Sequence, residues 1–164
     1  NAGKSTLLNP LTNRHLTAEN ALFATLNPVS RRIRFPQERE VIITDTVGFI
    51  RDLPKELKAA FRTTFEELQD ADILLHVMDS SCPDLEDKYE AVQKLLRELE
   101  LDEKPTYHVL NKQDKCDRDT LHGLTERFDG IPLCALHRDT FSDLLNRMEA
   151  DLWSHDLTPA SWEE

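Results

Sequence analysis

The chain has 164 residues, a hydrophobic fraction of 39% and a formal charge of -11. That is one domain's worth of polypeptide with enough apolar side chains for a packed core, which argues against global disorder. An acidic chain is not steered onto nucleic acid by its net field, so any RNA contact must be local, and apolar runs this short predict no membrane span.

In chain order, Gly3 to Leu11 reads as a helix start with an apolar stripe at Leu7, Leu8 and Leu11. A loop follows from about Asn13 to Pro28. Ser30 to Phe35 alternates Arg32 and Arg34 with Ile33 and Phe35, a half-exposed strand. Glu40 to Thr44 is a β-branched strand that ends at Asp45. The spacing of Leu57, Phe61, Phe65 and Leu68 predicts a helix over Pro54 to Gln69. Ile73 to Met78 is an apolar strand interrupted only by His76. Helix follows over Asp84 to Leu101, then a strand over Thr106 to Leu110, a helix over Arg118 to Phe128 and a last strand over Ile131 to Leu136. Phe141, Leu144, Leu145, Met148 and Leu152 form the inner stripe of a closing helix, and the tail after Asp156 reads as coil. The three cysteines, Cys82, Cys116 and Cys134, lie outside any CxxC pair and have no histidine at zinc spacing, which predicts free thiols in a reducing, cytoplasmic setting. No signal peptide is visible.

Apolar strands alternating with amphipathic helices predict an α/β fold, a mostly parallel sheet covered by helices on both faces. Ligands bind such sheets at the carboxyl ends of the strands, so the residues just after each strand carry the chemistry. NAGKST supplies Gly3, Lys4, Ser5 and Thr6, the end of the phosphate-loop pattern G-x-x-x-x-G-K-[ST]. Backbone N–H groups at a helix N-terminus point at phosphate oxygens, Lys4 would bridge the β- and γ-phosphates, and the Ser5 hydroxyl would ligate Mg²⁺. The pattern's opening glycine and its strand would lie upstream of Asn1. The expected fold is therefore a P-loop three-layer α/β/α domain over residues 1–156, lacking its first, central strand, with a tail over 157–164.

VIITDTVG delivers Asp45 to the sheet's carboxyl edge, where it can hold Mg²⁺ through water, and Gly48 leaves its N–H free to approach a γ-phosphate. NKQD, Asn111 to Asp114, follows the strand Thr106 to Leu110. A carboxylate at Asp114 can accept from N1–H and the exocyclic amine of guanine but not from adenine, and pockets built on such pairing discriminate by roughly 10⁴–10⁵. Thr25 is placed to join the Mg²⁺ shell when a γ-phosphate is present. Cys134, Ala135 and Leu136 end the last strand, where the Ala135 N–H would reach guanine O6. Each motif alone is an ordinary turn; the three in this order and spacing describe one nucleotide pocket for GTP and GDP.

With those residues in place, the chain resembles the HflX family of ribosome-associated P-loop GTPases. NAGKST, ENALFATLNP, RRIRFP, REVIITDTVGFIRDLPKEL and AFRTTFEEL occur in the family's order, and FATL-P and DTVGFI are the most specific segments. The resemblance implies GTP hydrolysis, Mg²⁺ as cofactor, and binding to the large (50S) ribosomal subunit near its peptidyl-transferase region, with ribosome splitting under stress in some members. It also implies that Asn1 coordinates K⁺, and that Lys4, Ser5, Thr25, Asp45, Gly48, Asn111, Lys112 and Asp114 are the nucleotide and magnesium positions. Two departures stand out. Cys134 occupies a usual serine position, which weakens a hydrogen bond near the base, and Asn27 replaces a usual aspartate.

Phe49 stands where many GTPases carry the glutamine that orients water, so intrinsic hydrolysis should be slow and stimulated by a partner or by K⁺. Lys4, Thr25 and Gly48 are the expected catalytic residues, Thr25 and Gly48 closing on the γ-phosphate. Arg31, Arg32, Arg34 and Arg39 offer a local patch for ribosomal RNA phosphates. A monomer is expected. The competing readings are a GTP-dependent docking module with negligible hydrolysis and a different translation or tRNA-modification GTPase.

Overall fold

The computed structural model describes residues 2–11, 29–35, 40–45, 66 and 68–153. Among these, helix α1 (Lys4–Leu11) is followed by strands β1 (Val29–Arg34) and β2 (Glu40–Asp45), strand β3 (Leu74–Asp79), helix α2 (Leu85–Glu98) and strand β4 (Thr106–Asn111). Helix α3 (Arg118–Phe128), strand β5 (Gly130–Pro132) and helix α4 (Ser142–Leu152) complete the order. Strands β3, β4 and β5 form a parallel sheet in that order, while β1 and β2 form a separate antiparallel ribbon. Three of the five described strands are thus parallel, the majority the apolar runs predict.

The period-two pattern of the strands sorts side chains to two faces. On one face of the parallel sheet, Tyr107, Val109, Ile131 and Leu133 join Leu7 and Leu11 of α1, Ile33 and Phe35 of the ribbon, and Leu144 and Met148 of α4. On the other, Met78 and Leu110 meet Leu85 of α2 and Phe128 of α3, and Leu74 meets Leu96. Helices on both faces of the sheet make the three-layer α/β/α arrangement. The two separate sheets share the first of these cores, which fixes the ribbon against the parallel strands.

Local chemistry sets the element ends. The Asp117 carboxylate caps α3 by accepting from the Thr120 N–H at 2.9 Å and the Thr120 hydroxyl at 2.6 Å. That helix stops at Asp129, which turns left-handed at φ 45°. Helix α2 carries Glu86 and Asp87 in its first turn and Arg97 in its last, matching its dipole. The chain leaves α2 through Glu100, at φ 58°.

One predicted element is cut short. The last strand, expected over Ile131 to Leu136, pairs only over Gly130–Pro132. Beyond Pro132 the Leu133 N–H still donates to the Leu110 carbonyl at 2.9 Å, and the chain then turns, with Cys134 and His137 bridging each other. Of the predicted helix over Pro54 to Gln69, the described residues hold only its end, where Glu66, Leu68 and Gln69 are helical. Among the described residues no helix is long and apolar enough to cross a membrane. All three cysteines are free.

Candidate functional site

Two groups of residues assemble at the carboxyl ends of the strands. The first gathers on Asp45, the last residue of β2. Its carboxylate is 8% exposed. Lys4 Nζ lies 3.2 Å from Oδ1, and the Ser5 hydroxyl donates to Oδ2 at 2.9 Å. Residues forty positions apart thus meet because α1 packs its leucines against the core beside β2. A buried carboxylate needs such partners, since an unpaired buried charge is costly. Gly3 opens the helix at φ 90°, in the left-handed region that favours glycine, and Thr6 follows Ser5 in the first turn.

A hydroxyl and a carboxylate brought together are hard oxygen donors of the type Mg²⁺ prefers. Magnesium takes one or two protein ligands and completes its shell with water and phosphate oxygens. The Ser5–Asp45 pair fits that requirement. Among the described residues there is no group of three or more His, Cys, Asp or Glu that could form an all-protein metal cage.

The second group centres on Asn111, the last residue of β4, which is 2% exposed. Its Nδ2 donates to the Ala2 carbonyl at 2.7 Å. Its Oδ1 accepts from the Lys112 N–H at 2.8 Å and the Ala135 N–H at 2.9 Å. One amide therefore ties the residue before Gly3, the segment after β4 and the turn after β5 to a single point. The approach to Gly3 is close: a Cβ on Gly3 would lie 2.5 Å from Asn111 Nδ2. That contact is a second reason for glycine there, independent of φ.

Lys112 adopts a left-handed conformation at φ 64°, and its Nζ lies 2.5 Å from Asp79 Oδ2 at the end of β3. Burial by itself would raise the Asp79 carboxyl. Hydrogen bonds from Lys112 and Ser81 outweigh it and hold the group below the ordinary carboxylate range. Asp114 stands exposed beside the turn, open to a ligand edge. The neighbouring Cys134 thiol is the first cause of its lowered pKa, and the thiol's own pKa is raised, first by burial and then by Asp114. Leu136 projects from the same turn, 75% exposed.

The structure therefore brings Gly3, Lys4, Ser5, Thr6 and Asp45 to one end, and Asn111, Lys112, Asp114, Cys134, Ala135 and Leu136 to the other. Asn1, Thr25, Gly48, Phe49 and Arg39 lie outside the described residues. One finding differs from the expectation. The Ala135 N–H, expected to face a base oxygen, donates to Asn111 Oδ1. Sequence reasoning also passed over Asp79, Thr140 and the Ala2 carbonyl. Asp79 carried a signal, a carboxylate ending an apolar strand in register with Asn111; Thr140 and a backbone carbonyl carried none. Of the arginines, Arg32 is exposed and 3.4 Å from Glu40.

Comparison with known proteins gives the family. The family model described as "50S ribosome-binding GTPase" matches residues 1–112. The chain is 53% identical over 114 residues to GTPase HflX of Caldanaerobacter subterraneus subsp. tengcongensis, covering 70% of this chain and 27% of that protein. It is 44% identical over 149 residues to GTPase HflX of Magnetococcus marinus, covering 90% of this chain and 34% of that protein. It thus spans about a third of the length of the curated relatives it matches. Among solved structures, SsGBP in complex with GDP is similar with a TM-score of 0.70 at 29% identity, over 96% of this chain and 48% of that one.

Proposed function

This chain belongs to the 50S ribosome-binding GTPase family, and on that premise we propose that it is the nucleotide-binding part of an HflX-type switch that binds GTP, hydrolyses it to GDP and phosphate, and docks on the large ribosomal subunit. The observation that carries the reading is the pairing of two centres that adjoin at the start of α1. Lys4 and Ser5 close on Asp45 at one end, and Asn111 gathers Ala2, Lys112 and Ala135 at the other. A triphosphate at the first and a guanine at the second satisfy both.

Lys4 neutralises phosphate charge, and the N-terminus of α1 offers backbone donors to it. Ser5 and Asp45 would hold Mg²⁺, which supplies charge neutralisation at the β- and γ-phosphates. Asp114 selects guanine. Lys112, anchored by Asp79, presents its stem to the base, and Leu136 offers an apolar cover. Asn1 is assigned to K⁺, and Thr25 and Gly48 to the γ-phosphate, on the resemblance to HflX. With Phe49 after Gly48, hydrolysis by the protein alone is slow, and the ribosomal subunit accelerates it. The arginines of the ribbon contribute local contacts to ribosomal RNA. The setting is cytoplasmic, and the protein acts as a monomer.

The test is single-turnover hydrolysis by the intact protein with and without large ribosomal subunits, beside equilibrium binding of GTP and ATP. The expected result is guanine preference and a faster rate with subunits. Equal rates would refute the partner-activated mechanism. Equal affinity for GTP and ATP would refute the assignment of Asp114.

A further inference from the structure

Strand β3 ends on Asp79, and the chain turns directly after it. The Cys82 N–H donates to the Asp79 carbonyl at 3.0 Å, and the Ser80 N–H donates across to the Asn111 carbonyl at 2.9 Å. The Asp79 carboxylate divides its two oxygens between different partners. Oδ1 accepts from the Ser81 hydroxyl at 2.6 Å and from the Ser81 N–H at 3.0 Å. Oδ2 accepts from Lys112 Nζ at 2.5 Å. A carboxylate turns readily about its last side-chain torsion, whose preference is broad. Two donors from Ser81 on one oxygen stop that rotation. The other oxygen then stays on Lys112, which follows Asn111, the residue opposite Asp79 in the β3–β4 register.

The consequence falls on the lysine. A long lysine side chain loses much rotamer freedom when it is fixed. A stem whose ammonium is already held has lost that freedom before a ligand arrives, so less is lost on binding. Lys112 also takes a left-handed backbone at φ 64°, which sets the direction in which its stem leaves the chain. The hydroxyl of Ser81 acts at the far end of this arrangement, through a charge-assisted bond of the strong, short kind. We propose that Ser81 is a positioning residue for the base: by occupying one oxygen of Asp79 it reserves the other for Lys112, so that the lysine stem stands in place before the purine arrives. The proposal rests on the guanine-nucleotide reading and adds to it a residue outside the nucleotide motifs.

The experiment is a double-mutant cycle on the intact protein, read by calorimetric titration with GDP. Ser81→Ala removes the hydroxyl bond and should lower GDP affinity about three- to tenfold. Lys112→Met keeps an apolar stem and removes the ammonium that Asp79 holds. In that background Ser81→Ala should change the affinity by less than about twofold. A serine that only closes the turn after β3 would cost the same factor in both backgrounds, and equal losses overturn the proposal. Ser81→Thr keeps the hydroxyl and should keep the wild-type affinity; a loss matching that of Ser81→Ala overturns it as well. A second readout needs no nucleotide. Amine acetylation of the free protein, followed by peptide mass spectrometry, should modify Lys112 more slowly than the exposed Lys115, and Ser81→Ala should speed the reaction at Lys112 alone. Equal rates at the two lysines in wild type overturn the proposal. Absence of GDP binding by wild type is a different result and refutes the guanine assignment itself.

Discussion

Asn111 should be the most expensive polar residue of the site to lose. Replacing it with alanine removes one bond to the Ala2 carbonyl and two from the Lys112 and Ala135 amides. A hydrogen bond contributes about 0.5–1.5 kcal/mol net, and more when its partner is left buried and unsatisfied. The three together are worth about 2–4 kcal/mol, a large fraction of a domain's net stability of about 5–15 kcal/mol. Because all three bonds end on elements that build the ligand site, GDP affinity should fall at least tenfold in the molecules that remain folded. Urea unfolding followed by circular dichroism measures the first effect, and titration with GDP the second. Asn111→Asp sharpens the test. It keeps an acceptor for the two amides but turns an oxygen toward the Ala2 carbonyl, so the junction with Gly3 should open selectively. An Asn111→Ala protein with the wild-type urea midpoint and an unchanged slope would refute the claim that this amide joins the three segments.

Two other perturbations test separate parts of the structure. Gly3→Ala combines a left-handed φ of 90° with a Cβ placed 2.5 Å from Asn111 Nδ2, so it should cost more than the roughly 1–2 kcal/mol of backbone strain alone. Gly123→Ala meets nothing within 4 Å in the middle of α3 and should stabilise by about 0.5–1 kcal/mol; thermal melts of the two variants should move in opposite directions. His76 is held neutral, its pKa lowered to about 4 by burial and, secondarily, by the facing His108. Its unfolded value is near 6.5, so its contribution is complete above that pH and is lost as pH falls from about 6.5 toward 4. At roughly 1.36 kcal/mol per pKa unit the loss approaches about 3 kcal/mol. Urea midpoints at pH 7.5 and 5 should show the decline, and His76→Leu should make it shallower, with His108, whose pKa burial also lowers, supplying the remainder.

Periodicity and motif order alone set the helices and strands, the two-faced parallel sheet and the residue types at each strand end. Those signals are local: an apolar stripe in α4 or an alternation in β1 needs no knowledge of its partner. What meets what was not local. Ser5 reaches Asp45 only because α1 shares a core with the ribbon, and Asn111 reaches Ala2 across 109 positions of sequence only because β4 ends beside the start of α1. The early end of β5 follows a turn whose backbone is held by Thr140, a threonine with no pattern around it. Sequence determined which donors and acceptors exist. Tertiary packing decided which of them satisfy one another, because a hydrogen bond acts over about 3 Å, a separation that only the folded chain imposes on residues far apart along it.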